Sequence, residues 1–265
     1  MPPESARPPA PRRILLDPTG WTLVREGGEA AGLTVAALPD TGEVVAQRAD
    51  TRQRLVATGV LREDGRPTEA VHAALAVLTT ARVTVTVERR QPGLGVAASW
   101  RTLGAPTAGL VVRAGDAGDE AGSATDGGPR RGVELQLLAI DDLVDTVVTE
   151  LLGDGAAADP AVDPADHVDV EADADDPAAW PDGVVVDGDI VAQASVVVDG
   201  PGGTSTAQLW GDGRRWWQVG ASAPDRVRGV AVTRDTVHAT LAATLAGQLD
   251  GAAADGGTTG GADRG

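Results

Sequence analysis

The segment Arg82–Arg89 (RVTVTVER) alternates apolar and polar residues without interruption. A strand points successive side chains to opposite faces, so Val83, Val85 and Val87 share one face and Thr84, Thr86 and Glu88 the other. A helix cannot bury a stripe of that period, so this segment commits the chain to a sheet. Gln91-Pro92-Gly93 supplies a turn, and strands follow over Val96–Thr102, Gly109–Arg113 and Val133–Leu138. The period then lengthens: Asp142–Leu152 places Leu143, Val147 and Leu151 on one helical stripe.

The same order recurs. Ile190–Val198, Thr204–Trp210, Arg215–Val219 and Arg226–Val232 read as four strands, joined by the turn dipeptide Asp199-Gly200 and by Gly211-Asp212-Gly213. A helix over Asp235–Leu249 closes the series, with Val237, Leu241, Leu245 and Leu249 on one stripe. At a fixed offset of 94 residues, Val133 matches Val227, Asp141 matches Asp235, and the stripe Leu143, Val147, Leu151 matches Val237, Leu241, Leu245. Asp141 and Asp235 stand where an acid can cap free N–H groups and meet the positive end of the helix dipole. The pattern predicts two strand-rich halves, each of four strands then a helix, with neighbouring strands antiparallel.

Ahead of the first strand the chain reads as helix and loop. Glu69–Thr80 is a clear helix, begun by Pro67 and Thr68, with Ala70, Val71, Ala74, Leu75 and Leu78 on its apolar face. Residues 1–13 are Pro-rich and 251–265 are Gly, Ala, Asp and Thr, so both are expected to be disordered ends. Two soft stretches interrupt the middle, Gly115–Pro129 and Gly153–Gly183. The expected organisation is one domain over 14–250, with halves of about 14–152 and 184–250 joined by an acidic linker, 153–183.

Composition limits the chemistry. The 265 residues, 42% of them hydrophobic, suffice for one large core or two small ones. The chain has no Cys, hence no disulfide, thiolate nucleophile or Cys-based zinc site, which fits a reducing, cytoplasmic setting. No apolar run approaches the roughly 20 residues of a membrane helix, so no membrane insertion is expected. The net charge of −17 repels phosphate backbones and argues against nucleic acid. Residues 154–182 hold ten Asp/Glu and no Arg, and without those ten the rest of the chain carries −7. With no Lys, Phe or Tyr, all 22 basic residues are Arg and Trp is the only aromatic, at 21, 100, 180, 210, 216 and 217.

No motif assembles a catalytic site. Gly93-Leu-Gly95-Val-Ala-Ala98 matches a dinucleotide fingerprint, but that loop must open a helix, and here a strand follows. His72, His167 and His238 are far apart, and neither helical histidine has a second ligand one turn on. Asp163, Asp166, His167 and Asp169 cluster in a linker that lacks the turn glycine of a Ca²⁺ loop. Neither G-x-S-x-G nor S-x-x-K occurs. The sequence therefore assigns no catalytic residue, no cofactor and no metal. The tryptophans suit either a core or a partner surface. Trp216 and Trp217 are adjacent and must face opposite ways in a strand, and Arg101, Arg214 and Arg215 flank the tryptophans, the usual composition of an interface hot spot.

Three stretches, 59–90, 132–152 and 215–249, resemble in order and spacing the EspG-type proteins associated with type VII (ESX) secretion. A weaker opening segment, 14–38, fits in length, and together these cover about three-quarters of the chain. The resemblance implies an α+β fold, a central antiparallel sheet with flanking helices and a quasi-two-fold internal repeat, and a non-enzymatic cytoplasmic chaperone or adaptor. Its partners would be helical secretion substrates, a PE–PPE-like or WXG100-like heterodimer, kept soluble for export. The family's contact regions carry over to Leu94, Trp100, Arg101, Arg214, Arg215, Trp216, Trp217, Leu241 and Leu245. The acidic segment 153–183 departs from the family pattern. The alternative reading of the residues is a small enzyme or small-molecule-binding protein that uses a cleft between the two halves.

Overall fold

The apolar face of the alternating segment is the buried face of β2 (Val83–Gln91), in which Val83, Val85 and Val87 are each 1% exposed or less. The computed structural model describes residues 12–34, 48–103, 106–114, 132–153, 167–171, 192–211, 215–223 and 226–257. Pro92 and Gly93, the latter at φ +75°, turn the chain from β2 into β3 (Leu94–Thr102), so the glycine-rich fingerprint lies in a hairpin and a strand, not at a helix start. Next come β4 (Pro106–Ala114), β5 (Gly132–Ala139), a 3-10 turn over Ile140–Asp142, and helix α4 (Leu143–Leu152). The later series is β7 (Ala192–Gly200), β8 (Gly203–Gly211), β9 (Trp216–Ala223), β10 (Arg226–Val232) and helix α5 (Arg234–Gly257). Before them lie β1 (Arg12–Leu16), α1 (Pro18–Ala30), α2 (Arg48–Ala57) and α3 (Glu69–Thr80), and β6 (His167–Glu171) lies between the two series.

The fold is α+β, with the strands in one antiparallel sheet of order β1-β5-β4-β3-β2-β7-β8-β9-β10-β6. Four strands then a helix do occur twice in the chain, and the strand order runs outward from the β2–β7 pair through each series in turn. This is an order of connection and pairing; superposition of the two series is a separate matter and stays an expectation.

Several elements differ from expectation for identifiable reasons. Strand β1 extends into the region expected to be a disordered end, pairing Ile14 with Leu135 and Leu16 with Val133; five residues are too few to show a period. Strand β6 lies inside the expected acidic linker and pairs with β10, Val168 opposite Gly229 and Val170 opposite Val227; its His-Val-Asp-Val-Glu alternation was hidden by the surrounding charge. Helix α5 continues past Leu249 to Gly257, through Asp-Gly-Ala-Ala-Ala-Asp-Gly-Gly, whose three glycines give little helical signal in the sequence. The α5 cap is Thr233, whose Oγ1 accepts from the Thr236 amide at 3.1 Å, while Asp235 sits in the first turn. Asp141 lies in the 3-10 turn ahead of α4. The stretch Gly115–Pro129, together with Asp163, Asp166, Trp180 and Arg214, falls outside the described residues.

The chain divides into two compact units. One comprises described residues within Met1–Arg82, Ser99–Val112 and Arg131–Leu143; the other, those within Val83–Ala98, Arg113–Arg130 and Val144–Gly265. In the first unit, Leu16, Trp21, Val24, Leu55, Leu75 and Leu135 form a core among α1, α2, α3, β1 and β5. Asp17 caps α1 by accepting from the Gly20 amide at 2.6 Å and pairs with Arg54 of α2. On β3, Trp100 is fully buried; its Nε1 donates to Gln136 Oε1 at 2.9 Å, and Gln136 Nε2 donates to Glu134 Oε1 at 2.9 Å. The indole lies so close to β4 that a Cβ on Gly109 would stand 2.1 Å from Trp100 Cδ1. In the second unit, α5 packs on β7 and β2, and Arg113 donates twice to the buried Glu150 carboxylate of α4, both at 2.6 Å.

Gly109→Ala must displace the Trp100 ring and should cost about 2–3 kcal/mol in urea unfolding. Gly220→Ala, where an added Cβ meets nothing within 4 Å, should stay within about 0.5 kcal/mol of the parent. Equal stabilities for the two variants would refute the packing argument.

Candidate functional site

The expected contact residues fall into different environments. Trp100 has no exposed surface and is a core residue, held by its hydrogen bond to Gln136. Arg101 is half-buried, and its Nη1 donates to the Leu78 carbonyl at 2.5 Å, in the last turn of α3, where a cation meets the negative end of the helix dipole. Leu94 is half-buried, directly after the β2–β3 turn. Trp217 is 5% exposed and pairs across strands with Trp210, itself 7% exposed, so both indoles serve as apolar filling of the second unit. Leu241 and Leu245 are buried on the inner face of α5.

Two of the nine keep accessible surface in one place: Arg215 and Trp216, both half-buried. Trp216 stands opposite Gly211, and its ring takes the space that a side chain there would fill, at 3.4 Å from the position of a Cβ. On the same face, two residues on, Gln218 is exposed and pairs with Val230, which is 39% exposed; Arg228 beyond it is exposed too. This band joins an indole and a valine to the polar Gln218 and Arg228, with Asp169 of β6 opposite Arg228 in the register. Gln218 and Val230 were missed in the sequence because a neutral polar residue and a lone valine carry no motif.

The neighbouring helix α5 is fixed at both ends. At its start, Arg234 Nη2 donates to Thr149 Oγ1 of α4 at 2.7 Å, and His238 Nε2 lies 3.2 Å from Asp145 Oδ1. Near its other end, Gln248 Nε2 donates to the Gly203 carbonyl at 2.8 Å and its Oε1 accepts from the Gly202 amide at 2.9 Å, clasping the β7–β8 turn. Between these tethers a pocket of about 240 Å³ opens between α5 and the sheet, lined among others by Val196, Val198, Leu209, Gln218, Thr240 and Leu241.

Catalytic and metal chemistry find no assembly among the described residues: no group of three His, Asp or Glu could hold a metal. His72 lines an open depression with Arg62, Arg66 and Glu69, a mixed-charge surface in the first unit. No described helix is long and apolar enough to cross a membrane.

No protein-family profile matches the sequence, and no curated protein does. A solved structure does match: the Mycobacterium tuberculosis type VII secretion system chaperone EspG5, determined in complex with a PE25–PPE41 dimer. The two share 13% identity over 88% of this chain and 96% of that one, with a TM-score of 0.54. The fold is EspG-like. At that identity the likeness is one of architecture and does not transfer residues.

Replacing Gln248 by Ala strips the β7–β8 turn of two hydrogen bonds and should cost about 2 kcal/mol, with faster hydrogen exchange at the Gly202 amide. Gln248→Glu keeps an acceptor for Gly202 but loses the donor to Gly203, so its cost should fall between parent and Ala. A Gly202 amide equally protected in all three proteins would show that the clasp contributes nothing.

Proposed function

We propose that the chain is a cytoplasmic chaperone or adaptor of a type VII secretion pathway, a member of the EspG family, which binds a helical PE–PPE-like substrate pair and keeps it soluble for export. The observation that carries this reading is the EspG-like fold over nearly the whole of both chains, with a neighbour solved on a PE–PPE dimer. The lack of any assembled catalytic or metal group among the described residues is compatible with a binding role. The comparison speaks for a PE–PPE partner and offers nothing for a WXG100-like one.

The best-suited contact surface is the band around Trp216. It presents a half-exposed indole, the aliphatic Val230 and the guanidinium groups of Arg215 and Arg228. A substrate helix that hides an apolar end would bury the indole and valine. Leu94, at the β2–β3 turn, offers a second contact point. Trp100, Trp217, Leu241 and Leu245 would contribute by holding the scaffold rather than by touching the partner.

Co-expression with the PE–PPE-like pair encoded nearest to this chain should give a stable ternary complex in size-exclusion chromatography with light scattering. Trp216→Ala should weaken it by about tenfold or more, and Arg215→Ala by a smaller factor, with thermal midpoints close to the parent. A chain that stays alone beside every such pair from its own host would sink the proposal.

A further inference from the structure

The pocket beneath α5 shares only Gln218 with the band around Trp216. Its floor is the aliphatic face of β7 and β8, where Val196, Val198 and Leu209 are buried. Its roof is one stripe of α5, Val237, Thr240, Leu241 and Thr244, at helical spacing. Leu151 of α4 closes one end, and Gln218 and Ser205 stand in the lining as polar groups. Among the described residues no Arg, Asp, Glu or His lines it, in a chain that is 23% charged. The Thr244 hydroxyl is already committed to the Thr240 carbonyl at 2.9 Å. The exposed polar side chains of Gln218 and Thr240 are the groups placed to meet a ligand's polar end.

The tethers keep this space open. Collapse of α5 onto the sheet is resisted by Arg234 on Thr149 at one end and Gln248 on Gly202 and Gly203 at the other. The pocket is too small for a helix, whose diameter with side chains is about 10–12 Å. An engineered cavity of about 150 Å³ takes a benzene molecule, so about 240 Å³ accepts about ten non-hydrogen atoms. A carboxylate or ammonium finds no opposite charge among the described residues of the lining, whereas a hydroxyl or amide needs only a hydrogen-bond partner, which Gln218 and Thr240 supply.

We propose that this pocket binds a small neutral amphiphile, its aliphatic or aromatic body seated on Val196, Val198, Leu209 and Leu241 and its hydroxyl or amide head at Gln218 or Thr240. Gln218 stands in both the pocket lining and the band around Trp216, so the two sites are told apart by Ala207→Leu and Trp216→Ala, each of which alters one alone.

The test uses the full chain and two probes, 1-octanol and its charged counterpart octanoate, followed by amide chemical shifts and calorimetry. Octanol should bind one saturable site, half-filled at about 10–500 µM, with shifts centred on residues 196–209 and 237–244. Octanoate should bind at least about tenfold more weakly. Ala207→Leu, which fills the pocket from the sheet, should abolish binding, and Gln218→Ala should weaken it severalfold. Should Ala207→Leu fail to fold, Thr240→Leu fills the same space from the helix. Non-saturable shifts, equal affinity for octanoate, or undiminished binding in a folded pocket-filling variant would each overturn the proposal.

Discussion

The pairing of β2 with β7 is the constraint on which the arrangement of the second unit depends. It sets Val85 against Val198, Val87 against Val196 and Arg89 against Ala194, joining segments more than a hundred residues apart in the chain. Closing a loop of that size costs entropy that one strand pair cannot offset alone. The offset comes from the shared face: Val83, Val85, Val87, Ala194, Val196 and Val198 are all buried, and α5 packs over β7 and β2 to cover it. A one-residue slip would turn these valines to the opposite face and bring Thr84, Thr86 and Glu88 inward, so burial fixes the register.

Polar groups in each unit are built into this scheme rather than tolerated by it. In the first unit, Trp100, Gln136 and Glu134 form a chain of hydrogen bonds with almost no exposure, and Arg13 stands 3.6 Å from Glu134 at the sheet's edge. In the second, Arg113 and Glu150 form a bidentate pair with Glu150 almost wholly buried. Such pairs add little net stability compared with apolar packing, but each penalises any arrangement that leaves its partner buried alone. They therefore act on specificity: β4 must meet α4 where Arg113 finds Glu150, and Trp100 must meet the bare face of Gly109.

How much could be read from the sequence follows from the same physics. Helix α3 and strands β2 and β10 fall where period and turn residues place them, because each has a complete local pattern. Strand β1 is stabilised by its partner β5 rather than by its own five residues, so no local signal existed. Strand β6 has the right alternation, but its apolar content is two valines within an acidic stretch. The site was less legible still. Trp100, Trp216 and Trp217 look equivalent as letters, and only cross-strand neighbours separate them: Gly109 makes room to bury one, Trp210 packs against another, and Gly211 leaves Trp216 lying across the sheet surface. Gln248 and Gln218 gain their meaning from a turn and a pocket formed by residues far away in sequence.

An EspG-like fold at 13% identity shows that this architecture does not require one particular set of side chains. A chain without Phe or Tyr builds it by alternation, turn positions and helix stripes, with Val and Trp meeting the burial requirement. Surface residues answer to no such requirement and are free to follow a partner. The band of Arg215, Trp216, Val230 and Arg228 must therefore be judged by its own chemistry. It combines an indole and a valine with arginines, and the register of β6 sets Asp169 opposite Arg228, so its apolar surface rather than a net charge is what it offers a partner. In the proposed role, a fold of this kind would supply the platform, and the chemistry of that band the choice of what it holds.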